Sequence, residues 1–172
     1  MTDSTLGTAL RAMHDSFGDL DAAYMLIGGL AVILRGFPRH TDDIDVTVAG
    51  AGLDLEELDR AFSVHGFEHR IEGAVEFARR NQVLLLRHAR SGVDLDVSLA
   101  WLPFEEEALG CAEGMDLEGV RLAVARAEDL LIYKAVAWRE RDRRDVTELV
   151  RLHRDEMDLD RVRRVVAEFA EA

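Results

Sequence analysis

The chain has 172 residues, of which 48% are hydrophobic and 32% charged, enough for one domain with a substantial core. This composition excludes a disordered or fibrous protein, and no apolar run approaches the length of a membrane span. A formal net charge of −13 argues against broad binding to nucleic acids.

Helices and short strands alternate in the first part of the chain. Apolar side chains at every third or fourth position predict an amphipathic helix over residues 4–17. Strict alternation of polar and apolar residues in DIDVTVA predicts a half-buried strand. In chain order we expect the strand AYMLIGG, the short helix LAVILRG, the strand DIDVTVA, the helix DLEELDRAFSVHG with Asp54 as its N-cap, and a helix over residues 72–80.

Helices dominate the last third of the chain, after a predicted hairpin. The hairpin joins the strands QVLLLRH and VDLDVSL through the turn ARSG. Further on we expect the helix PFEEEALGCA, the strand GVRLAVA, the long helix AEDLLIYKAVAWRERDRRDVTELVRLH, either continuous or broken once, and the final helix DLDRVRRVVAEFAEA. This order predicts an α/β (α+β) fold in one compact unit, with a small mixed β-sheet in residues 1–102 and a mainly helical C-terminal lobe in residues 103–172.

The start of the chain and its cysteine content favour a cytoplasmic location. The first 20 residues include Asp3 and lack the basic region and long apolar stretch of a secretory signal. The single cysteine, Cys111, excludes an internal disulfide bond. We therefore expect a cytoplasmic protein that does not enter a membrane.

Two six-residue segments share one pattern of carboxylates. DIDVTV (residues 43–48) and DLDVSL (residues 94–99) both read Asp, apolar, Asp, apolar, hydroxyl, apolar. In a strand, this spacing places both carboxylates and the hydroxyl on one face and the aliphatic side chains on the other. If the two strands are neighbours, four carboxylates share one small surface, which is unfavourable unless their charge is compensated.

A divalent cation would compensate this charge, because clustered carboxylate oxygens suit Mg²⁺ or Mn²⁺. The alternative is two exposed strand faces with solvated carboxylates, but the recurrence of the pattern favours the cation site. An EF-hand is excluded because its glycine and distal glutamate are missing from the required positions. The six histidines and Cys111 form no ligand-like spacing, so a zinc site is not expected.

Gly28 and Gly29 stand between a predicted strand and a predicted helix. Glycines at such a turn allow backbone N–H groups to approach a phosphate. No third glycine or Gly-Lys-Ser/Thr sequence follows, so the turn is neither a Rossmann fingerprint nor a P-loop. The turn gains significance from the carboxylate strand that begins 14 residues later.

Lys134 is the one lysine in a chain with 20 arginines. Base-composition bias explains a general scarcity of lysine, whereas a need for a compact charge explains why this one remains. If the long helix is continuous, Lys134, Arg141 and Asp145 lie within roughly 20° of one another around its axis. The charged run 139–145 has the alternative interpretation of a solvated helix face. The apolar segment LLIY before Lys134 favours a buried, functional lysine.

Two motifs of the chain resemble a known family. IGGLAVILRGFPRHTDDIDV resembles the Gly-Gly, Arg, Thr-x-Asp-Ile-Asp signature of the nucleotidyltransferase superfamily with the polymerase-β-like fold, most closely the AbiEii-type toxins. AEDLLIYKAVAWRERDRRDVTEL is similar to the second motif of that group, a Lys followed by Arg and Asp-x-x-Asp. The resemblance covers about residues 25–150 and implies a nucleotidyltransferase core with a helical C-terminal lobe.

The resemblance implies catalytic roles for three aspartates and Lys134. Asp43 and Asp45 would hold Mg²⁺ ions that carry a nucleoside triphosphate. Asp96, or else Asp94, would complete the metal site and activate the acceptor hydroxyl. Lys134 would contact the triphosphate.

The same resemblance implies a nucleotide-binding set around this centre. Asp145 would position Lys134, and Asp42 would be a capping or solvated residue. The chain departs from the family at Leu30, where many relatives carry Ser or Thr after the glycines. The nucleotide-binding candidates are Gly28, Gly29, Arg39, Thr41, Lys134, Arg141 and Asp145.

The implied activity is a Mg²⁺-dependent transfer of a nucleoside monophosphate from a nucleoside triphosphate, such as ATP, to an acceptor hydroxyl, with release of pyrophosphate. A toxin-like member would act on a tRNA end and have an antitoxin as its partner, and RNA would dock on the basic residues 139–144 and 161–164. The negative total charge leaves room for a small antibiotic-type acceptor or a protein side chain. The other alternative is a module that binds nucleotide without turnover and is paired with an antitoxin, for which Leu30 is the main support.

Overall fold

The computed structural model describes residues 4–170, which form eight helices and seven strands. The helices are α1 (Thr5–Asp19), α2 (Gly28–Leu34), α3 (Leu55–Val64), α4 (Ala74–Asn81), α5 (Pro103–Gly110), α6 (Ala127–Ala137), α7 (Glu140–His153) and α8 (Leu159–Ala170). The strands are β1 (Tyr24–Ile27), β2 (Asp43–Val48), β3 (Phe67–His69), β4 (Val83–His88), β5 (Asp94–Leu99), β6 (Glu113–Leu117) and β7 (Val120–Val124). Residues 1–3 of the predicted segment 1–102 lie outside the described residues. So do residues 171–172, which end the predicted segment 103–172 and the predicted final helix.

The strands form one mixed sheet in the order β3-β4-β5-β2-β1-β7-β6. The central strands β2 and β5 are parallel, and so are β1 and β7. The remaining neighbours, including the predicted hairpin of β4 and β5, are antiparallel. The predicted α/β (α+β) fold with a mixed sheet is therefore confirmed.

The two central strands are fixed side by side by the core. Four of their aliphatic side chains have no exposed surface, and these are Ile44, Val46, Leu95 and Val97. Phe17 of α1 packs edge-on against Phe62 of α3, with ring centroids 5.1 Å apart, and both rings belong to the same core. Burial of such a side chain contributes about 1.5–3 kcal/mol, so the core determines the position of the polar face of β2 and β5.

Two strands at the edges of the sheet go beyond the prediction. The three-residue strand β3 has two exposed residues, and β6 reads Glu-Gly-Met-Asp-Leu without a buried residue. Each pairs with one neighbouring strand, β4 or β7. Such edge strands form because they pair with a neighbouring strand, and not because they bury an apolar face. Their own sequences therefore carry little periodic signal.

The long predicted helix is broken at Trp138. This residue has φ +41, in the left-handed region, and ends α6, while α7 begins two residues later at Glu140. Helix α7 then packs against α6 instead of extending it. The alternative of one break is therefore confirmed, and a continuous helix over this stretch is wrong.

Residues 103–172 contribute to the sheet as well as to the helical side of the molecule. Strands β6 and β7 belong to the same sheet as β1, and α7 and α8 pack against α6. A separate apolar cluster between these elements contains Phe104, Leu131, Ile132 and Val162. The division into segments 1–102 and 103–172 stays a prediction. Over residues 4–170, no helix combines the length and hydrophobicity needed to cross a membrane.

Candidate active site

The parallel pairing of β2 and β5 brings the two Asp-x-Asp segments side by side. Asp43 stands opposite Asp94, and Asp45 stands opposite Asp96. The residues between them point into the core, so all four carboxylates belong to the other face of the sheet. The repeated pattern therefore forms one carboxylate surface.

Asp45 lies against Gly28 and Gly29, the first two residues of α2. Gly28 has φ +64, and a Cβ at this position would collide with the carboxylate of Asp45, so both the backbone and the space require glycine. Burial, followed by the charges of Asp43 and Asp96, raises the pKa of Asp45 to about 6. The charge of Lys134 and a hydrogen bond from the Gly29 backbone N–H act in the opposite direction. The protein alone thus leaves the charge of Asp45 incompletely compensated.

Thr41 orients the neighbouring carboxylate, Asp43. The Oγ1 of Thr41 donates a hydrogen bond of 2.7 Å to Oδ1 of Asp43. A Cβ on Gly29 would lie 2.5 Å from this Oγ1. The two glycines therefore make room for Asp45 and Thr41, and their role as a phosphate cradle stays a prediction.

The two carboxylates of β5 differ in their partners. Nε of Arg87 donates to Asp94 at 2.6 Å and Nη1 of Arg70 donates at 3.0 Å, and these hydrogen bonds hold the pKa of Asp94 below its usual value. Burial raises the pKa of Asp96, although Nη2 of Arg70 donates to its Oδ1. Asp96 lines the same cleft as Asp43 and Asp45, whereas Asp94 does not. The geometry favours Asp96 as the third carboxylate of the site.

The cleft over the carboxylate surface has a volume of 310 Å³. Three aspartates from the sheet and three cationic side chains from the C-terminal helices and their connecting turn line it, and these are Asp43, Asp45, Asp96, Lys134, Arg139 and Arg141. Opposite charges thus face one solvent-accessible space. Such a cleft suits a ligand that carries both anionic groups and a cation.

Lys134 is part of a buried network of charges. Its Nζ lies 3.2 Å from Oδ1 of Asp142 and 3.0 Å from Oδ2 of Asp145, and both of these aspartate side chains are only 3% exposed. Nη1 of Arg39 donates to the same oxygen of Asp145 at 2.5 Å. Nε of Arg139 lies 3.6 Å from Oδ2 of Asp142, so three cations surround the two buried carboxylates at the edge of the cleft.

The contact between Lys134 and Asp145 does not arise in the predicted way. The expected stripe on one continuous helix is wrong, because the helix ends at Trp138 and α7 packs back against α6. Arg141, which the stripe placed beside Lys134, is exposed at the cleft, and its side chain forms no hydrogen bond or ion pair with any residue of the described part.

Several residues of the site are not evident from the sequence pattern. Asp142 bonds Lys134 and accepts from the Arg139 backbone N–H at 2.9 Å, and its position in the Asp-x-x-Asp motif is its only signal. The hydroxyl of Tyr133 donates to Glu105 at 3.0 Å and lies 3.1 Å from Oγ1 of Thr47, which ties α6 to the sheet. Burial raises the pKa of Tyr133.

Asp42 and Leu30 lie outside the cleft. The side chain of Asp42 is 87% exposed and stands 3.4 Å from the ring of His40. Leu30 is 4% exposed and packs in the core of the molecule. The departure from the family pattern at Leu30 therefore adds apolar packing at the start of α2.

A wider groove of 660 Å³ adjoins the cleft. The guanidinium of Arg144 lies over the ring of Phe37, 5.3 Å from its centroid. Arg139 and Arg141 line both the cleft and the groove. Four arginines, Arg39, Arg139, Arg141 and Arg144, line this groove in a chain whose net charge is −13.

The carboxylates fit a hard divalent cation, but incompletely. Asp43 and Asp45 offer oxygen ligands of the kind that Mg²⁺ or Mn²⁺ prefers, and the uncompensated charge of Asp45 favours a cation. The third carboxylate, Asp96, is engaged by Arg70. Within residues 4–170, no three His, Cys, Asp or Glu side chains are gathered closely enough for a preformed metal site.

Residues 6–172 match a family model described as "Nucleotidyltransferase of unknown function (DUF6036)". The match covers nearly the whole chain and includes every residue of the cleft. No curated protein shows significant sequence similarity to the chain.

Several solved structures share this fold. ANT(2″)-Ia in complex with adenylyl-2″-tobramycin has a TM-score of 0.63 at 19% identity, over 98% of both chains. The lincomycin-bound lincosamide antibiotic adenylyltransferase LnuA has a TM-score of 0.56 at 17% identity, over 81% of this chain and 93% of that chain. An antigenic nucleotidyltransferase-like protein from Paracoccidioides brasiliensis has a TM-score of 0.55 at 16% identity, over 98% of this chain and 88% of that chain. At such identities the likeness shows the fold alone.

Proposed function

The chain belongs to the nucleotidyltransferase family whose model it matches, and we propose that it moves a nucleoside monophosphate from a nucleoside triphosphate to an acceptor hydroxyl. The observation that carries this proposal is the juxtaposition of Asp43, Asp45 and Asp96 on two parallel strands that line one cleft. The buried Lys134 faces the same cleft. Carboxylates and a lysine in this arrangement suit a triphosphate with its divalent cation.

Asp43 and Asp45 are the residues that would hold Mg²⁺ or Mn²⁺. The cation would neutralise negative charge on the phosphates and align them for displacement. Thr41 keeps Asp43 oriented through its hydroxyl, and Gly28 leaves the space that the Asp45 carboxylate occupies. These two contacts support a role of Thr41 and Gly28 in positioning the carboxylates that would bind the cation.

The transfer requires a hydroxyl to lose its proton as its oxygen attacks the α-phosphorus. A new phosphorus–oxygen bond forms, the bond to pyrophosphate breaks, and pyrophosphate leaves with the electron pair. Asp96 would accept the proton, because burial raises its pKa and its Oδ2 forms no hydrogen bond within the described residues. Lys134 would bind phosphate oxygens, held in place by Asp142 and Asp145.

The groove beside the cleft supports an acceptor that carries phosphate. Arg39 and Arg139 pair with Asp145 and Asp142, and Glu140 also lines the groove, but Arg141 and Arg144 pair with no carboxylate of the described residues and favour an anion. An RNA 3′ end, such as that of a tRNA, combines a free hydroxyl with neighbouring phosphates. We therefore favour a toxin-like, AbiEii-type role in the cytoplasm, with an antitoxin as its protein partner.

A small-molecule acceptor is the second candidate. Of the proteins that share the fold, one is in complex with adenylyl-2″-tobramycin and another is lincomycin-bound, which supports an antibiotic-type acceptor. The arginines of the groove count against a polycationic acceptor, because like charges repel. A nucleotide-binding module without turnover is the third alternative.

Incubation of the protein with each α-³²P-labelled nucleoside triphosphate, Mg²⁺ and either total RNA or antibiotics separates these candidates. Label on RNA is the expected result. Label only on an added small molecule would favour the second candidate, and nucleotide binding without any transferred label would favour the inactive module. Omission of the divalent cation is expected to abolish transfer.

Matched variants test the acceptor groove. Arg141→Glu and Arg144→Glu place negative charge in the groove, and we expect weaker RNA binding with a smaller dependence on salt. Arg80→Glu is the control, because Arg80 is an exposed residue of α4 that pairs with Glu76 and lies neither in the groove nor in the basic stretches 139–144 and 161–164. Equal effects at all three positions would argue against the groove as the acceptor site.

A further inference from the structure

Arg70 connects the two carboxylates of β5. It follows β3 in the chain, and its backbone N–H donates to the carbonyl of Leu85 at 3.1 Å. Its Nη1 lies 3.0 Å from Oδ2 of Asp94, and its Nη2 donates to Oδ1 of Asp96. The third nitrogen of the guanidinium, Nε, is buried and has no hydrogen-bond partner within the described residues.

The unpaired Nε indicates what holds this guanidinium in place. A buried donor without a partner costs free energy, so the position of Arg70 must be favoured by its other contacts. Those contacts are the two aspartates, since no other side chain among residues 4–170 hydrogen-bonds its guanidinium. The carboxylates, and not a complete hydrogen-bonding shell, therefore determine the orientation of Arg70.

The carboxylates of β2 have no such partner. Asp43 accepts from the hydroxyl of Thr41, and Asp45 accepts from a backbone N–H, but neither forms an ion pair within residues 4–170. The nearby cation Lys134 is already bonded to Asp142 and Asp145. The four carboxylates of the surface thus divide into a neutralised pair on β5 and an unneutralised pair on β2.

We propose that Arg70 is the counter-ion of the third carboxylate, Asp96. The guanidinium of Arg70 takes the place that a metal ion would otherwise occupy between Asp94 and Asp96. Only Asp43 and Asp45 then need a divalent cation, so the protein without nucleotide binds one such ion. Arg70 holds Oδ1 of Asp96 and leaves Oδ2 for the acceptor hydroxyl, which makes Arg70 a positioning residue. The inference rests on the proposed function only in that it assumes Mg²⁺ or Mn²⁺ as the bound cation. Its tests do not measure nucleotidyl transfer.

The test compares Arg70→Gln with the wild type and with Arg87→Gln. Arg87 is the matched control, because it pairs with Asp94 but does not contact Asp96. Thermal unfolding is measured in EDTA and in Mn²⁺, and bound Mn²⁺ is counted by electron paramagnetic resonance. In EDTA, we expect the Arg70→Gln protein to unfold at a midpoint about 2–4 °C below that of the wild type. In Mn²⁺, its midpoint should return to the wild-type value. The Arg70→Gln protein should bind two Mn²⁺ ions, whereas the wild type and the Arg87→Gln protein should bind one.

Two outcomes would overturn the proposal. One is an Arg70→Gln protein with the wild-type number and affinity of Mn²⁺ ions. The other is a lowered unfolding midpoint that Mn²⁺ does not restore. Removal of an arginine with a purely structural role would destabilise the protein equally with and without the metal. Arg70→Lys keeps the charge and is expected to bind one ion.

A companion variant keeps the test decisive if Arg70→Gln does not fold. In Arg70→Gln/Asp96→Asn the carboxylate that needs the counter-ion is also removed, so folding in EDTA should return. Failure of this double variant to fold would contradict the counter-ion role. Loss of nucleotidyl transfer in any of these proteins would leave the inference intact, whereas the Mn²⁺ count decides it.

Discussion

The Nζ of Lys134 lies 3.0 Å from Oδ2 of Asp145, although the helix that carries the lysine ends before the helix that carries the aspartate begins. The two side chains meet because α7 packs against α6 after the break at Trp138. Asp142 approaches the same lysine from the first turn of α7, at 3.2 Å. One lysine therefore organises the helical side of the cleft.

Replacement of Lys134 by Met should weaken both folding and nucleotide binding. Two buried carboxylates would lose a shared cation, so the free energy of unfolding should fall by roughly 3 kcal/mol. The double variant Lys134→Met/Asp142→Asn removes one of these charges and should regain part of the stability, but not the affinity for nucleoside triphosphate. Urea unfolding and calorimetric titration with a non-hydrolysable triphosphate measure the two effects. A folded double variant with wild-type affinity would exclude Lys134 as a phosphate ligand.

Removal of either carboxylate that we propose as a metal ligand should strongly reduce transfer. For Asp43→Asn or Asp45→Asn we expect a fall in kcat/KM of at least about 100-fold, since the cation supplies several kcal/mol of charge stabilisation. Asp42→Asn is the control, because Asp42 is exposed and lies outside the cleft. Transfer rates are measured with labelled nucleotide on proteins of equal circular dichroism. Equal losses in all three variants would contradict the assignment of Asp43 and Asp45.

The raised pKa of Asp45 makes the stability of the metal-free protein depend on pH. Its folded-state value of about 6 exceeds the ordinary value of 3.8, so the folded protein holds the proton more tightly than the unfolded chain. This contribution to stability is complete below about pH 4 and is lost as the pH rises through about 6. The shift corresponds to about 3 kcal/mol.

Asp45→Asn should therefore be more stable than the wild type at pH 7 in EDTA, with little difference at pH 4. Urea unfolding between pH 4 and pH 8 measures this difference, and added Mg²⁺ should reduce it by stabilising the wild type alone. A constant difference across the whole pH range would contradict the pKa assigned to Asp45.

Gly28→Ala should damage the carboxylate site as well as the fold. The new Cβ would collide with Asp45, and the alanine would have to adopt φ +64, which is unfavourable for any residue with a Cβ. Gly92→Ala is the matched control, because Gly92 has φ +74 but nothing lies within 4 Å of an added Cβ. Both variants should lose about 1–3 kcal/mol through backbone strain, but only Gly28→Ala should lose affinity for Mn²⁺. Equal Mn²⁺ affinity in the two proteins would show that Gly28 does not shape the site.

Periodicity predicted most of the elements correctly because they are amphipathic and bury one face. The hairpin of β4 and β5 and the N-cap Asp54 of α3 follow from local sequence alone. The edge strands β3 and β6 escaped prediction because their pairing, and not their own apolar pattern, makes them strands. For Lys134, the contact with Asp145 is present, but the continuous helix used to predict it is not.

The family resemblance, the alternating carboxylate strands and the expectation of a cation site all follow from the sequence alone, because side-chain type and period-two spacing are local properties. The parallel pairing of β2 and β5 in register, which makes Asp96 the partner of Asp45, is evident only in the folded protein. The same holds for the ion pairs of Arg70 with Asp94 and Asp96. Strand pairing and ion pairs of this kind depend on packing between distant segments, for which a single sequence carries no periodic signal.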